Sequence, residues 1–413
     1  MQNKFDSWAK WFAIPIGFTL PISTAADNIL LYLALTALLL GGHYRHKLRS
    51  ISANPVAIAA LLLVGGLLLG GLYGNATWND VLHYWRKYAS LLSIALLIPL
   101  FQDKPSRDYA VTGFLLAMAL TLFLSCIIAT GWFANRAWFQ GSVDNAFVFK
   151  LHITQNVFMA FFAYTLALKA KSAMQLKWRM VFGSAALLAA YNVLFMVGGR
   201  TGYVVLAVLF GYFCFRLLQW KGVVLAGFVG IAVASVGYMA SPILSARVNL
   251  VVHEIADWKP GHGASSSSGL RMDYYTNSLR IISDHPIFGV GTGGFERAYA
   301  EKIKNTPTAP SSNPHNQYLL ITAQLGLVGL LLMLYLFFQQ WRTAAWLPCM
   351  FEQEMARGML LTIMSGSLLN SLLLDHAEGL FFAWMSGVLF AGYRAARSPT
   401  GILLKPADVG AVR

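Results

Sequence analysis

The sequence predicts an all-α polytopic membrane protein with about 12 transmembrane helices and one large external loop. Of its 413 residues, 57% are hydrophobic and only 12% are charged, whereas a soluble domain has roughly 45–50% and about 25% respectively. The mean hydropathy of +0.57 agrees with this interpretation. A soluble enzyme with a polar shell is therefore excluded, and residues 1–413 are expected to form a single membrane domain.

Apolar runs of about 20 residues, the length needed to cross a bilayer as a helix, recur along the chain. The first run follows Lys4 and Lys10 and precedes small residues, as in a signal peptide. The runs behind it favour an uncleaved first helix instead. A polar segment, residues 242–315, separates the ninth and tenth runs and is expected to carry short helices. The predicted spans lie near residues 9–23, 26–42, 55–74, 88–101, 109–131, 151–168, 180–198, 202–219, 222–241, 316–338, 355–374 and 377–393.

The distribution of basic residues along the chain predicts its orientation in the membrane. The net charge of +14 comes from 31 Lys and Arg residues against 17 Asp and Glu residues. An internal N-terminus with these spans puts 19 basic residues inside and 12 outside, and seven of those 12 lie in residues 242–315. Long loops do not count in the positive-inside rule, so the short loops divide 19 to 5 and both termini are expected to be cytoplasmic.

The sequence offers little for nucleic acids, nucleotides, metals or cofactors. No Lys/Arg-rich domain stands apart from the spans, as nucleic-acid binding would require, and the cytoplasmic loops are too short for a nucleotide-binding domain. Cys126, Cys214 and Cys349 suggest neither disulfides nor a metal site. The G-x-G-x-x-G run at Gly289–Gly294 follows Pro286 rather than a strand, so a tight loop is expected instead of a dinucleotide site.

The first candidate site residue is His315, within Asn313-Pro314-His315-Asn316 before the tenth span. Asn is a preferred N-cap and Pro a preferred first helical residue, so His315 is expected in the first helical turn. The positive end of the helix dipole would keep its imidazole neutral, and a neutral imidazole can accept a proton from a hydroxyl. An interfacial histidine satisfied by water is the alternative.

Two arginines on the same predicted side are candidates for binding an anion. Arg200 lies in the turn Gly198-Gly199-Arg200-Thr201-Gly202, where backbone N–H groups and a guanidinium can hold a phosphate. The alternative is an ordinary turn whose arginine reaches the lipid headgroups. Arg271 and Arg280 share a predicted helix at 269–284, with Leu270, Tyr274 and Ile281 along one side. Nine residues span about 900° of helix, so the two arginines face opposite ways, and Arg271 is the favoured site residue.

Asp375 is the last candidate, in Asp375-His376-Ala377-Glu378 between the last two spans. Its carboxylate could orient a histidine or bind a sugar hydroxyl. A solvated loop is the alternative.

These residues carry a resemblance to the O-antigen ligase/polymerase family of bacterial envelope enzymes, and above all to its O-antigen ligases. The likeness covers mainly residues 180–340, and the order of its motifs along a chain with twelve predicted spans adds to their weight. The motifs are Gly199-Arg200-Thr201-Gly202, Gly269-Leu-Arg271 continuing to His285-Pro286-Ile-Phe-Gly-Val-Gly-Thr-Gly, and Pro314-His315-Asn316-Gln317-Tyr318-Leu319.

The resemblance implies a GT-C-like, metal-independent inverting glycosyltransferase without a cofactor. Such an enzyme moves O-antigen from undecaprenyl pyrophosphate to lipid A–core at the periplasmic face of the bacterial inner membrane, among membrane lipids. It implies that residues 242–315 form a periplasmic loop. The two essential arginines and the histidine of the family match Arg200, Arg271 and His315; Asn316 and Asp375 would support them.

The chemistry of the candidate residues is consistent with the glycosyl transfer that the resemblance implies. Arg200 and Arg271 would hold the diphosphate and stabilise charge on the leaving group, while His315 assists attack by the acceptor hydroxyl. An O-antigen polymerase and a protein O-oligosaccharyltransferase would use the same donor and remain alternatives. A transporter of the lipid-linked glycan would show internal repeats and polar residues at the bilayer midplane. The charged residues lie at the ends of the predicted spans, which favours an enzyme.

Overall fold

The described part of the chain is entirely helical apart from loops. The computed structural model describes residues 4–132, 141–240, 242–259, 262 and 266–393, and within them the only β pairing is one isolated bridge between Ser142 and Asn145. The predicted all-α class is confirmed. The helices are α1 (Lys4–Ala13), α2 (Ile16–Thr19), α3 (Thr24–Leu40), α4 (Tyr44–Ser52), α5 (Pro55–Tyr73), α6 (Trp78–Tyr88), α7 (Leu92–Leu97), α8 (Lys104–Ala129), α9 (His152–Ser172), α10 (Leu176–Tyr191), α11 (Arg200–Leu218), α12 (Trp220–Ala240), α13 (Pro242–Ala256), α14 (Ser267–Asp284), α15 (Phe295–Ile303), α16 (Gln317–Ala344), α17 (Met350–Gly366) and α18 (His376–Phe390).

Several of these helices are long and apolar enough to cross a membrane, so the chain is a multi-pass membrane protein. Within the described residues five helices qualify by length and composition: α5, α8, α10 with its π-helical continuation to Met196, α11 and α16. The pair α3 and α4, bent by 117°, would make a sixth. The count of twelve spans stays a prediction.

Two predicted spans in the N-terminal part of the chain are interrupted. The first is divided into α1 and α2 around Pro15, a residue that cannot donate the backbone hydrogen bond a continuous helix needs. The fourth consists of the 3-10 turn Ala89–Leu91 followed by the six-residue α7. Short apolar helices of this kind cannot be separated from one long span by hydropathy alone.

The core of the bundle forms around α18. Its side chains from Leu380 to Phe390 are buried throughout, and Phe381 packs on the rings of Phe114, Phe158 and Phe161 at centroid distances of 4.8–5.3 Å. This helix is only 15 residues long, yet its position among other helices explains its uniformly apolar sequence.

The glycine run at 289–294 forms a tight loop, as the sequence predicts, and this loop packs into a break in α16. Gly289, Gly291 and Gly293 have φ values of +66°, +86° and +88°, a region that favours glycine. The Val290 and Gly291 N–H groups donate to the carbonyls of Ala323 and Gln324, just before Gly326 interrupts α16 with φ 63° and ψ −158°. Backbone hydrogen bonds left open by the break are thereby satisfied.

The polar segment 242–315 contains three described helices, α13, α14 and α15. The predicted helix at 269–284 is confirmed as α14, which begins two residues earlier because the Ser266 hydroxyl caps the Gly269 N–H at 3.1 Å. Along its predicted inner side, Ile281 is buried and Tyr274 packs against the core. The side of the membrane on which this segment lies stays a prediction.

Candidate functional site

His315 lies just outside α16, and its predicted place in the first helical turn was wrong. The helix begins at Gln317, and Asn316 is its N-cap, with its side-chain oxygen accepting from the Leu319 N–H at 3.0 Å. Asn313 instead accepts from the His315 N–H at 2.9 Å. The sequence holds two asparagines able to cap, and Pro314 made the earlier one look better placed.

The backbone of His315 is held in an unusual conformation. Its φ is +53°, in the left-handed region that residues other than glycine rarely adopt. The Tyr274 ring packs near the imidazole with centroids 5.8 Å apart, and the Tyr275 hydroxyl lies 3.5 Å from the His315 carbonyl oxygen. Such conformations persist where surrounding contacts fix them, and they cluster at functional sites.

The connection after α17 forms the platform on which this turn rests. The Leu368 carbonyl accepts from Tyr275 Oη at 3.1 Å and from Asn316 Nδ2 at 3.0 Å. The Gln317 N–H donates to the Ser367 carbonyl at 2.9 Å. Residues from α14, α16 and the α17–α18 connection therefore fix the position of His315 together.

Arg200 is the first residue of α11 and is exposed. The glycines beside it serve packing: a Cβ added at Gly199 or Gly202 would lie within 2.7 Å of Asn156 on α9. The Asn156 amide donates to the Val197 and Gly199 carbonyls at 2.9 and 3.2 Å, which fixes the turn. The Arg200 guanidinium reaches across to α14, where Nη1 donates to Ser268 Oγ at 3.1 Å.

Arg271 completes the group, one helical turn beyond Ser268 on α14. Burial lowers the pKa of Arg271, and the neighbouring Arg200 charge lowers it further. Burial also lowers the pKa of His315, and the charge of Arg271 adds to that effect. Arg200 contacts Ser268, one turn before Arg271. Tyr275, one turn after Arg271, contacts the His315 carbonyl. The structure therefore brings the three residues into one group, in which burial and positive charge bias the imidazole towards its neutral form.

Within the described chain, the two arginines are not paired directly with carboxylates. Among the residues that the structure describes, neither Arg200 nor Arg271 forms an ion pair. By contrast, Arg280 is exposed and donates to Asn277 on its own helix at 3.3 Å. It shares an open surface groove with Asp284 and Lys302. The two arginines therefore lie in different surroundings, and the choice of Arg271 as the site residue stays a prediction.

Asp375 lies beside Lys87, Tyr88 and Glu378 and is half-buried, so the solvated-loop alternative does not hold. Burial and the nearby Glu378 carboxylate raise the pKa of Asp375, while the Lys87 charge opposes the shift. Its link to the histidine turn is indirect: Gln317 Nε2 donates to the Tyr88 hydroxyl at 3.2 Å.

Sequence reasoning missed Ser268, Tyr275 and Asn156. Tyr275 follows Arg271 by four residues and therefore lies on the same helix face, which could have identified it. Ser268 was missed because its serine run was interpreted only as flexible, although this run directly precedes the predicted helix at 269–284. Nothing near Asn156 in the sequence connects it to a turn 43 residues away.

Residues 184–334 match the family model described as O-antigen ligase. This stretch contains Arg200, Arg271 and His315. This region is therefore similar to the O-antigen ligase family. The resemblance inferred from the sequence is thus confirmed for residues 184–334.

One curated relative of this chain is an uncharacterized protein of Haemophilus influenzae. The two chains are 27% identical over 157 residues, which is 36% of this chain and 39% of the relative. The chain therefore spans about two fifths of the length of this relative.

Proposed function

We propose that the protein is an O-antigen ligase, which transfers O-antigen from undecaprenyl pyrophosphate to a sugar hydroxyl of lipid A–core. The observation that carries this proposal is the meeting of Arg200, Arg271 and His315, from three separate stretches of the family-matched region, in one electrostatic group. The enzyme would lie in the bacterial inner membrane with both termini cytoplasmic and its site on the periplasmic face.

The arginines are suited to a diphosphate because their charge is available. Arg200 approaches from the start of α11 and Arg271 from the first half of α14, so a ligand between the helices can meet both. Guanidinium groups bind phosphate oxygens through paired hydrogen bonds. They would also stabilise the negative charge that develops on the leaving diphosphate as the glycosidic bond breaks.

His315 is suited to accept the proton of the acceptor hydroxyl. The hydroxyl oxygen forms a bond to the anomeric carbon as the bond from that carbon to the diphosphate oxygen breaks. The proton passes to the imidazole, and undecaprenyl pyrophosphate leaves. A single displacement of this kind inverts the anomeric configuration, and the cleaved linkage supplies the energy without a nucleotide.

Asn316 would support the site by fixing the start of α16 directly after the base. Asp375 would act at a distance, through Tyr88 and Gln317, by stabilising the packing beneath the histidine turn. No metal is required, because the two guanidiniums would provide the charge stabilisation that a cation gives in other enzymes.

The proposal predicts that Arg271→Ala slows transfer far more than Arg280→Ala on the same helix. Loss of charge-assisted hydrogen bonds costs on the order of 1.5–3 kcal/mol each, which corresponds to a rate loss of about 10- to 150-fold. The transfer rate of Arg280→Ala should stay within about twofold of the wild-type rate, because Arg280 lies away from the proposed diphosphate site. The measurement is transfer by purified protein supplied with lipid-linked O-antigen and lipid A–core.

Equal rates for the two variants would contradict the diphosphate assignment. The same assay separates the alternatives: growth of the lipid-linked chain without lipid A–core would identify a polymerase, and glycan on a protein acceptor would identify an O-oligosaccharyltransferase. In a deletion strain, a ligase predicts accumulated lipid-linked polymer together with bare core.

A further inference from the structure

A carboxylate from another helix occupies the N-terminus of α14. Glu254, in the last turn of α13, accepts from the Ser268 N–H through Oε2 at 3.2 Å. Ser268 is the second residue of α14, and the Ser266 hydroxyl already caps the Gly269 N–H. Glu254 is therefore an additional anion at a helix end whose free N–H groups and dipole favour negative charge.

The same serine connects this carboxylate to the arginine pair. Ser268 Oγ accepts from Arg200 Nη1 at 3.1 Å, and Arg271 follows three residues later on the helix. Ser268 is 7% exposed, so both of its hydrogen bonds lie in a confined space. The Glu254 carboxylate thus contacts the residue that Arg200 holds, at the edge of the region assigned above to the donor diphosphate.

We infer that Glu254 is an internal anion that competes with the diphosphate at the N-terminus of α14, beside Ser268, the partner of Arg200. This inference rests on the proposed function. A diphosphate carries more charge than one carboxylate, so a bound donor displaces Glu254. The carboxylate returns when undecaprenyl pyrophosphate leaves, which lowers the affinity for product as well as for donor.

The alternative is that Glu254 acts only as a cap for α14. Glu254→Gln separates the two roles, because its amide oxygen still accepts from the Ser268 N–H while the negative charge is removed. Glu301→Gln is the matched control. It removes the same charge from an exposed residue on α15 whose nearest cation, Lys304, lies 4.0 Å away.

The test is direct binding of undecaprenyl pyrophosphate to the full-length protein in nanodiscs of neutral lipid. A negative charge removed beside the Ser268–Arg200 hydrogen bond should tighten binding about three- to tenfold in Glu254→Gln, and added salt should shrink that difference. Glu301→Gln should bind like wild type. In steady-state transfer, Glu254→Gln should show a lower KM together with a lower kcat, since the product leaves more slowly.

Unchanged or weaker binding by Glu254→Gln, with a wild-type unfolding temperature, would overturn the competition. If that variant does not fold, Glu254→Ser provides a second removal of the charge with the same expected direction. The outcomes also separate this inference from the function on which it rests. Binding that depends on Arg200 and Arg271 but not on Glu254 would refute only the competition, whereas binding independent of both arginines would refute both.

Discussion

At the scale of single residues, the sequence predicted a neutral imidazole for His315 but not the position of this residue relative to α16. A neutral imidazole followed from the expected place of His315 in a first helical turn. The structure puts it before Asn316 and outside the helix, with burial and the charge of Arg271 lowering its pKa. The residue types that form the site could be read from the sequence, but the contacts that tune them depend on α14 packing against α16.

The pH dependence of transfer tests this tuning. The base must be unprotonated, so the rate should fall on the acid side through a pKa below the ordinary imidazole value of about 6.5. In Arg271→Gln the lost positive charge should raise the His315 pKa and move this acid limb to higher pH, whatever the remaining rate. The measurement is the pH profile of kcat/KM, with Arg280→Gln as the control that leaves the limb in place. If the acid limb of the Arg271→Gln profile stays at the wild-type pH, the charge of Arg271 does not act on His315.

At the scale of elements, the break in α16 is the feature that hydropathy could not reveal. The run near 316–338 has the composition of one continuous span, and most predicted spans do correspond to helices. Gly326 interrupts this one because the backbone at Ile287 and Phe288 approaches it closely: an added Cβ would lie 2.2 Å from the Ile287 carbonyl group. The contacting residue Ile287 lies 39 residues earlier in the sequence, so a local hydropathy pattern around Gly326 cannot reveal the contact.

Gly326→Ala should therefore destabilise the fold. Its φ of 63° with ψ of −158° is a combination essentially restricted to glycine, costing about 1–3 kcal/mol for other residues, and the close contact adds to that cost. Gly230→Ala on α12 is the control, because an added Cβ there meets no atom within 4 Å, and alanine favours the helix by about 1 kcal/mol. Thermal unfolding in detergent should show a lower midpoint for Gly326→Ala alone. Equal midpoints would mean that the break is not held by this contact.

At the scale of the whole molecule, the two ends of α11 differ in how their charges are used. Near its last turn, Arg216 and Arg357 both pair with Glu354, at 2.8 and 3.1 Å. At its first turn, Arg200 has a serine as its partner and no carboxylate in the described chain. Composition could predict a membrane protein and its excess of basic residues. It could not predict which cations the fold neutralises, because the pairing of Arg216 with Glu354 joins α11 to α17, which is distant in the sequence.

The assay that tests the central claim most directly is glycan transfer by His315→Gln, compared with His285→Gln. His285 is an exposed histidine at the end of α14, so the control removes the same group from the same polar segment. With lipid-linked O-antigen and lipid A–core, His315→Gln should lose about 100-fold or more of the transfer rate, the scale of general base catalysis, while donor binding is retained. The control should transfer at the wild-type rate. Wild-type transfer by His315→Gln would contradict the account.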